Sequence, residues 1–262
     1  MPANGSADSG GDPVFRRALR AQAPTQEPDT PRIAQRAVGS LFGAISALRG
    51  ARSLHPDGVV FEATFSVASA NRHVRDAPLF AQPGSHPAVV RLSRSVGLPQ
   101  PLPDIHGLTV RLVDAHGPGR HQDFPLATSG NGALLHHLLL PTPGFFSLSY
   151  SSVLLYRIGP DVRLVGATAS GPRPAEGSDF DQLLRGVRAG DTRFELAVAP
   201  LLGRWKPVGR LTLGEQIPEA EGERIRFNPW NTGGGIRPMG PFMGLRAGAY
   251  RGSQAGWSAE RA

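Results

Sequence analysis

An α+β fold, its strands closed into an antiparallel barrel or stacked as a sandwich, is what this chain predicts, on three observations. Short segments rich in β-branched residues alternate in polarity and are separated by Gly, Pro, Asn and Asp. Helical patterns occur at the ends and in one insertion. There is no βαβ alternation and no internal repeat.

The elements follow in order. Residues 1–29 are rich in Pro, Gly, Ser and Ala, lack periodicity and read as a flexible arm. The remainder, 30–262, reads as one domain. It opens with a predicted helix: Thr30 as N-cap, Pro31 at the first helical position, Gly50 as the stop. Ile33, Val38, Leu41, Phe42, Ile45 and Leu48 form its apolar stripe. Strands are predicted over 59–69, 86–96, 105–115 and 122–128. Residues 134–148 form a helical or irregular interlude, and 152–170 a hairpin around Gly159, Pro160 and Asp161. A short helix over 179–190 precedes strands at 192–200, 206–215 and 223–229.

Composition excludes several chemistries. With no cysteine, disulfides, thiolate metal sites and cysteine catalysis are ruled out. No stretch approaches the ~20 apolar residues of a membrane span. The pair Arg16 and Arg17 has no apolar run behind it, so it does not read as a secretory leader, and a cytoplasmic protein is expected. The formal net charge is +7, and Lys206 is the only lysine. The arginines are scattered and not interleaved with aromatics, which argues against a nucleic-acid partner.

Familiar catalytic patterns are missing. No histidine pair has the HExxH spacing, and no GxSxG elbow occurs. Gly233, Gly234 and Gly235 do not link a strand to a helix carrying Lys-Ser/Thr, which speaks against a phosphate loop. His136 and His137 are adjacent, so on a helix they point in two directions.

One pair near the C-terminus stands out. Tyr250 lies four residues after Arg246, on the same face if the run is helical. An arginine there can favour the phenolate over the phenol, and a buried phenolate is a hard anionic ligand for iron. Taken alone, the pair reads first as an ordinary amphipathic tyrosine beside an arginine.

Separated blocks then agree with one family. Arg52, His55, Gly58, Phe65 and Val67 stand at the spacing of the haem catalases, and the segment around Arg91 and Ser93 resembles the catalase Val-Arg-Phe-Ser block. Residues 104–112 resemble the strand that follows it. Phe227, Pro229, Asn231, Gly235, Ile236, Pro238, Arg246 and Tyr250 fall in step with the C-terminal block. The chain therefore resembles the haem catalase superfamily in blocks between about Leu41 and Trp257, and most of all its minimal, catalase-related peroxidase form.

The resemblance implies an antiparallel barrel of about eight strands with flanking helices. It implies haem b as cofactor, with Tyr250 as the iron ligand and Arg246 as its charge partner. His55 becomes the distal acid–base group and Ser93 the residue that orients it, while Arg52 and Arg91 match arginines that pair with haem propionates. Leu54 and Phe227 fall at positions packing on the porphyrin faces, and Phe242 or Met243 at the proximal wall.

Three departures matter. Asp123 falls where the family has its catalytic asparagine, and an ionised carboxylate accepts but cannot donate. Trp257 replaces a third propionate arginine, and Ala51 replaces an acid. The expectation is a haem peroxidase that uses hydrogen peroxide or an organic peroxide to oxidise an organic donor, with weak or no catalase activity. The alternatives are a fatty-acid hydroperoxide lyase or isomerase of the allene oxide synthase kind, and a non-catalytic haem carrier or sensor. The wrapping segments of full catalases do not fit in this length, so a monomer or homodimer is expected, acting on small molecules and not at a membrane.

Overall fold

The computed structural model describes residues 14–20, 58–99, 101–133, 135–171 and 178–239. The predicted helix after Thr30 lies outside the described residues, as do Arg52, Leu54, His55, Phe242, Met243, Arg246 and Tyr250.

Nine strands run through the described chain: β1 Gly58–Val67, β2 Gly84–Arg94, β3 His106–Leu112, β4 Gln122–Ser129, β5 Ser149–Ile158, β6 Asp161–Ser170, β7 Arg193–Ala199, β8 Lys206–Ile217 and β9 Ile236–Pro238. β1 through β8 pair antiparallel in succession, and β8 returns to β1. Pairing of Ala127, Thr128 and Ser129 with Ser151, Tyr150 and Ser149 joins β4 to β5. The result is a closed eight-stranded antiparallel barrel, one of the two arrangements the strand pattern allows and the one the resemblance implies. β9 pairs with Tyr156, Arg157 and Ile158, the length of β5 that its β4 pairing leaves over.

The two-residue period decides which side chains fill the barrel. Phe61, Ala63, Phe65 and Val67 of β1 point inward, as do Ala88, Val90 and Leu92 of β2, Leu108, Val110 and Leu112 of β3, and Phe124 and Leu126 of β4. An eight-stranded interior is just wide enough for side chains to fill. Here aromatic rings do much of the filling: Phe124 stacks on Phe80 and meets Tyr156 edge-on, both at 5.7 Å between centroids. Truncating such a ring costs about 3–5 kcal/mol. The interior is therefore a packed core.

Turn and cap chemistry agree with the topology. Gly159 takes φ +60 at the β5–β6 turn and is followed by Pro160, a two-residue loop whose twist suits the flanking strands. Among the described residues four short α-helices flank the barrel: α1 Val14–Ala18, α2 Pro78–Ala81, α3 Asp179–Arg188 and α4 Glu219–Gly222. α3 begins with a capping box, the Ser178 hydroxyl accepting from the Asp181 N–H while the Asp181 carboxylate accepts from the Ser178 N–H.

Two expectations are corrected. Part of the supposed flexible arm, Val14–Ala18, is a helix seated on the wall. Ala18 is fully buried in a cluster with Val60, Val89, Val113, Ile217, Ile225 and Phe227, and Val14, Phe15 and Leu19 pack against it. The apolar residues within an otherwise polar stretch supply that anchor. The predicted strand 223–229 forms no ladder, because the barrel is already closed and offers it no edge. Its backbone groups bond to side chains of the wall instead.

Candidate functional site on the outer barrel wall

Residues that alternate with the core positions of β1 to β4 form one continuous outer face. The register lays them in rows across the four strands. The first row is Gly58, Ser93, Gly107 and Ala127; the second is Val60, Arg91, Thr109 and Pro125; the third is Glu62, Val89, Arg111 and Asp123. Of the residues expected from sequence, the structure thus puts Arg91, Ser93 and Asp123 on the same wall. Arg91 and Ser93 are near neighbours, two residues apart on one face of β2. Asp123 is not beside them: it lies four residues along β4 from Ala127, the end of the Ser93 row, or roughly 13 Å.

The row containing Ser93 is kept low by two glycines. A Cβ at Gly58 would stand 2.9 Å from the Arg91 guanidinium and 3.0 Å from the Ser93 Cβ; a Cβ at Gly107 would stand 2.9 Å from the Ser93 Oγ. Neither glycine has positive φ, so what they provide is room rather than an unusual turn. Gly58, Arg91, Gly107, Thr109 and Ala127 are all partly exposed. The Arg91 guanidinium thus lies over Gly58 and the Ser93 hydroxyl over Gly107, which makes this stretch of wall a shallow platform. It begins at Gly58, three residues after His55 in the chain.

The Asp123 row is closed. Arg111 grips the Asp123 carboxylate with two hydrogen bonds, Nε to Oδ1 at 2.8 Å and Nη2 to Oδ2 at 2.7 Å. The Asn228 N–H donates to Oδ2 at 2.7 Å and the Asn231 side-chain amide at 3.0 Å. The Asp123 N–H in turn donates to the Asn231 carbonyl. Arg111 also donates to the carbonyls of Ala18 and Arg226, and its guanidinium lies 5.2 Å from the Phe227 ring centroid. Phe227, expected against a porphyrin face, is here buried in the apolar cluster under α1. Carboxylate and guanidinium are both buried, so each depends on the other for compensation. Asp123 is therefore a fastener joining β3, β4, α1 and the loop at 226–231.

His121 completes this closed region. Its Nδ1 accepts from the Asp114 N–H at 3.0 Å, so the proton sits on Nε2 and is donated to the Arg20 carbonyl at 3.2 Å. Burial, joined by the charge of Arg111, holds its pKa below the usual histidine value. His116 similarly faces Gln122 Oε1 at 3.0 Å, and Gln122 also accepts from Thr232 and Gly233. Sequence reasoning missed Gly58 and Gly107 as spacers, and Arg111, Asn228 and Asn231 as the fastener's partners. The alternation in 105–115 could have put Arg111 and Thr109 on one face; nothing local reveals that Arg111 stands opposite Asp123.

Among the described residues no group of three or more His, Cys, Asp and Glu side chains is placed to hold a metal ion. None of their helices is long and apolar enough to cross a membrane.

No protein-family model and no curated protein matches the chain. Among solved structures it is similar to that of a bacterial catalase, at 14% identity and a TM-score of 0.55, covering 97% of this chain and 67% of the other. The class that fold and wall define is thus a catalase-like α+β barrel. At this identity the likeness is one of fold.

Proposed function

We propose that this protein is a haem-dependent oxidoreductase of the catalase-related class, which uses hydrogen peroxide or an organic peroxide to oxidise an organic donor. The observation that carries the reading is the shallow outer wall of a catalase-like barrel on which Arg91 and Ser93 lie side by side over Gly58 and Gly107, next in the chain to the segment bearing His55. A flat macrocycle with carboxylate arms suits a shallow face carrying a guanidinium.

The residues then divide the work. Bound haem b would supply the redox-active iron for peroxide cleavage. Tyr250, as phenolate beside Arg246, would hold the iron, and Arg52 and Arg91 would pair with the propionates. Leu54, Phe242 and Met243 would pack against the ring. His55 would take a proton from the peroxide and return it to the leaving oxygen, and the Ser93 hydroxyl would fix the orientation of that imidazole.

Asp123 favours weak or absent disproportionation. Its carboxylate is occupied by Arg111, Asn228 and Asn231, and it cannot donate to a peroxide as an amide would. The same observation keeps a second reading in view: a haem carrier, or an enzyme that rearranges fatty-acid hydroperoxides without a reductant. A cytoplasmic, small-molecule enzyme acting as monomer or homodimer remains part of the proposal.

The test is the absorption spectrum of the full chain expressed with haem supply, beside Tyr250→Phe, followed by donor oxidation in His55→Ala. A ferric tyrosinate-type spectrum, altered in Tyr250→Phe, with peroxide-dependent oxidation lost in His55→Ala, is the expected result. Products from a hydroperoxide without reductant would favour rearrangement, and haem uptake without any peroxide reactivity a carrier. A colourless protein that cannot be reconstituted ends the haem reading.

A further inference from the structure

The two adjacent histidines lie far from the outer platform in sequence, in the connection between β4 and β5. Neighbouring side chains on an α-helix diverge by about 100° around the axis. Leu135–His137 is a single 3-10 turn, which spaces neighbours by about 120°, yet the two ring tips converge. Their Nε2 atoms are 3.1 Å apart, with ring centroids at 4.5 Å and planes at 70°. A third donor completes a triangle: the Leu201 carbonyl oxygen, in the β7–β8 turn, is 3.2 Å from His136 Nε2 and 2.9 Å from His137 Nε2.

We propose that His136 Nε2, His137 Nε2 and the Leu201 carbonyl oxygen form a site for a divalent transition-metal ion of the Cu²⁺, Ni²⁺ and Zn²⁺ class. The site is separate from the haem reading and does not depend on it.

Protons alone serve this triangle poorly. If both histidines carry the proton on Nε2, both donate to Leu201 and two N–H groups abut at 3.1 Å. If only one does, the other ring nitrogen and the carbonyl oxygen face each other as lone pairs at hydrogen-bond distance. A cation seated above the plane of the triangle uses all three lone pairs at once. With metal–ligand bonds of about 2.0–2.2 Å, edges of this length subtend angles of about 90–100°. That matches one face of a tetragonal or octahedral ion better than a tetrahedral one, and leaves the remaining positions to water. Among divalent ions Cu²⁺ binds imidazole sites most tightly, so it is the expected best ligand.

The surroundings prepare the site. His136 is fully buried and its ring lies edge-on to Trp205 at 5.3 Å, so its orientation is set in advance. His137 is half-buried and gives the ion a way in, while exposed Leu135, Leu138, Leu201 and Leu202 surround the opening. A metal here would tie the β4–β5 connection to the β7–β8 turn, and binding only the folded form would raise stability by mass action.

The experiment titrates the full, tag-free chain with Cu²⁺ alone and then Zn²⁺ alone. It reads calorimetric stoichiometry, the Cu²⁺ electron paramagnetic resonance spectrum at sub-stoichiometric copper, and the thermal midpoint. The parent should take up one Cu²⁺ with splitting from two imidazole nitrogens and a raised midpoint. His137→Ala, at a half-buried position, should lose that equivalent; His136→Gln should lose it too, and His73→Ala should keep it. A parent without the two-nitrogen signal, or a folded His137→Ala that keeps the parent's stoichiometry and spectrum, overturns the proposal.

Discussion

Two rows of the same barrel wall behave as opposites. The Ser93 row and the Asp123 row face the same side of the same four strands, yet one is a low platform and the other a sealed ionic fastener. Side-chain length makes the difference. Glycines at 58 and 107 let the Arg91 guanidinium and the buried Ser93 hydroxyl lie flat on the wall, whereas Arg111 spans outward to Asp123, Ala18 and Arg226 and closes its row with covering chain. A ligand-binding wall and a structural seam can thus share one pleated surface, separated by two steps of the strand period.

The largest expected effect breaks the seam. Asp123→Ala leaves the Arg111 charge buried without its partner and should cost about 3–5 kcal/mol. Urea unfolding followed by tryptophan fluorescence would measure it. A loss within experimental error of the parent would show that the seam contributes nothing to holding α1 and the 226–231 loop.

Filling the platform comes next. Gly107→Val drives a side chain into the Ser93 Oγ and should cost about 1–3 kcal/mol while abolishing haem uptake. Asp123→Ala should have the opposite balance, with more stability lost than ligand binding. A Gly107→Val protein that loads haem like the parent would move the binding surface elsewhere.

A pH series sharpens the contrast, because the closed region contains His121. Its folded pKa is lowered by burial, while the unfolded chain titrates near the ordinary value of about 6.5. As pH falls through that value the unfolded chain binds a proton that the folded one refuses. The stabilisation is thus present above about pH 6.5 and lost as pH falls toward the folded pKa. His106, His116, His86 and His136 are lowered by burial too and add to the same slope. Urea midpoints should fall between pH 7 and pH 5, and His121→Gln should flatten the fall. An unchanged slope in that variant would mean the imidazole is not kept neutral by the seam.

The smallest effect on stability is expected from Ser93→Ala, under about 1 kcal/mol by chemical unfolding. Peroxide-dependent donor oxidation by the haem-loaded variant should drop nonetheless, since the hydroxyl's proposed task is to hold His55. Activity equal to the parent's would remove Ser93 from the site.

Much of the fold could be read from the chain because its signals are local. Alternation in β1 to β4, Gly159-Pro160 at the hairpin and the Ser178 and Asp181 pair at α3 each act within a few residues. The misreadings share the opposite cause. Residues 223–229 look like a strand, but a strand needs an edge, and closure of β4 on β5 and of β8 on β1 leaves none there. His136 and His137 leave a 3-10 turn in different directions, and their ring tips meet only at the Leu201 carbonyl of a distant turn. Asp123 matched a family position by register along β4, while its partners come from β3 and a loop about a hundred residues downstream.

The sequence by itself determined the period of each strand, the residues able to face inward and the turns between them, since these follow from backbone sterics and from apolar side chains leaving water. Only the tertiary structure decided which outward residues stand in one row. Row membership depends on register between strands far apart in the chain. That register comes from barrel closure around a filled core, which no single segment contains.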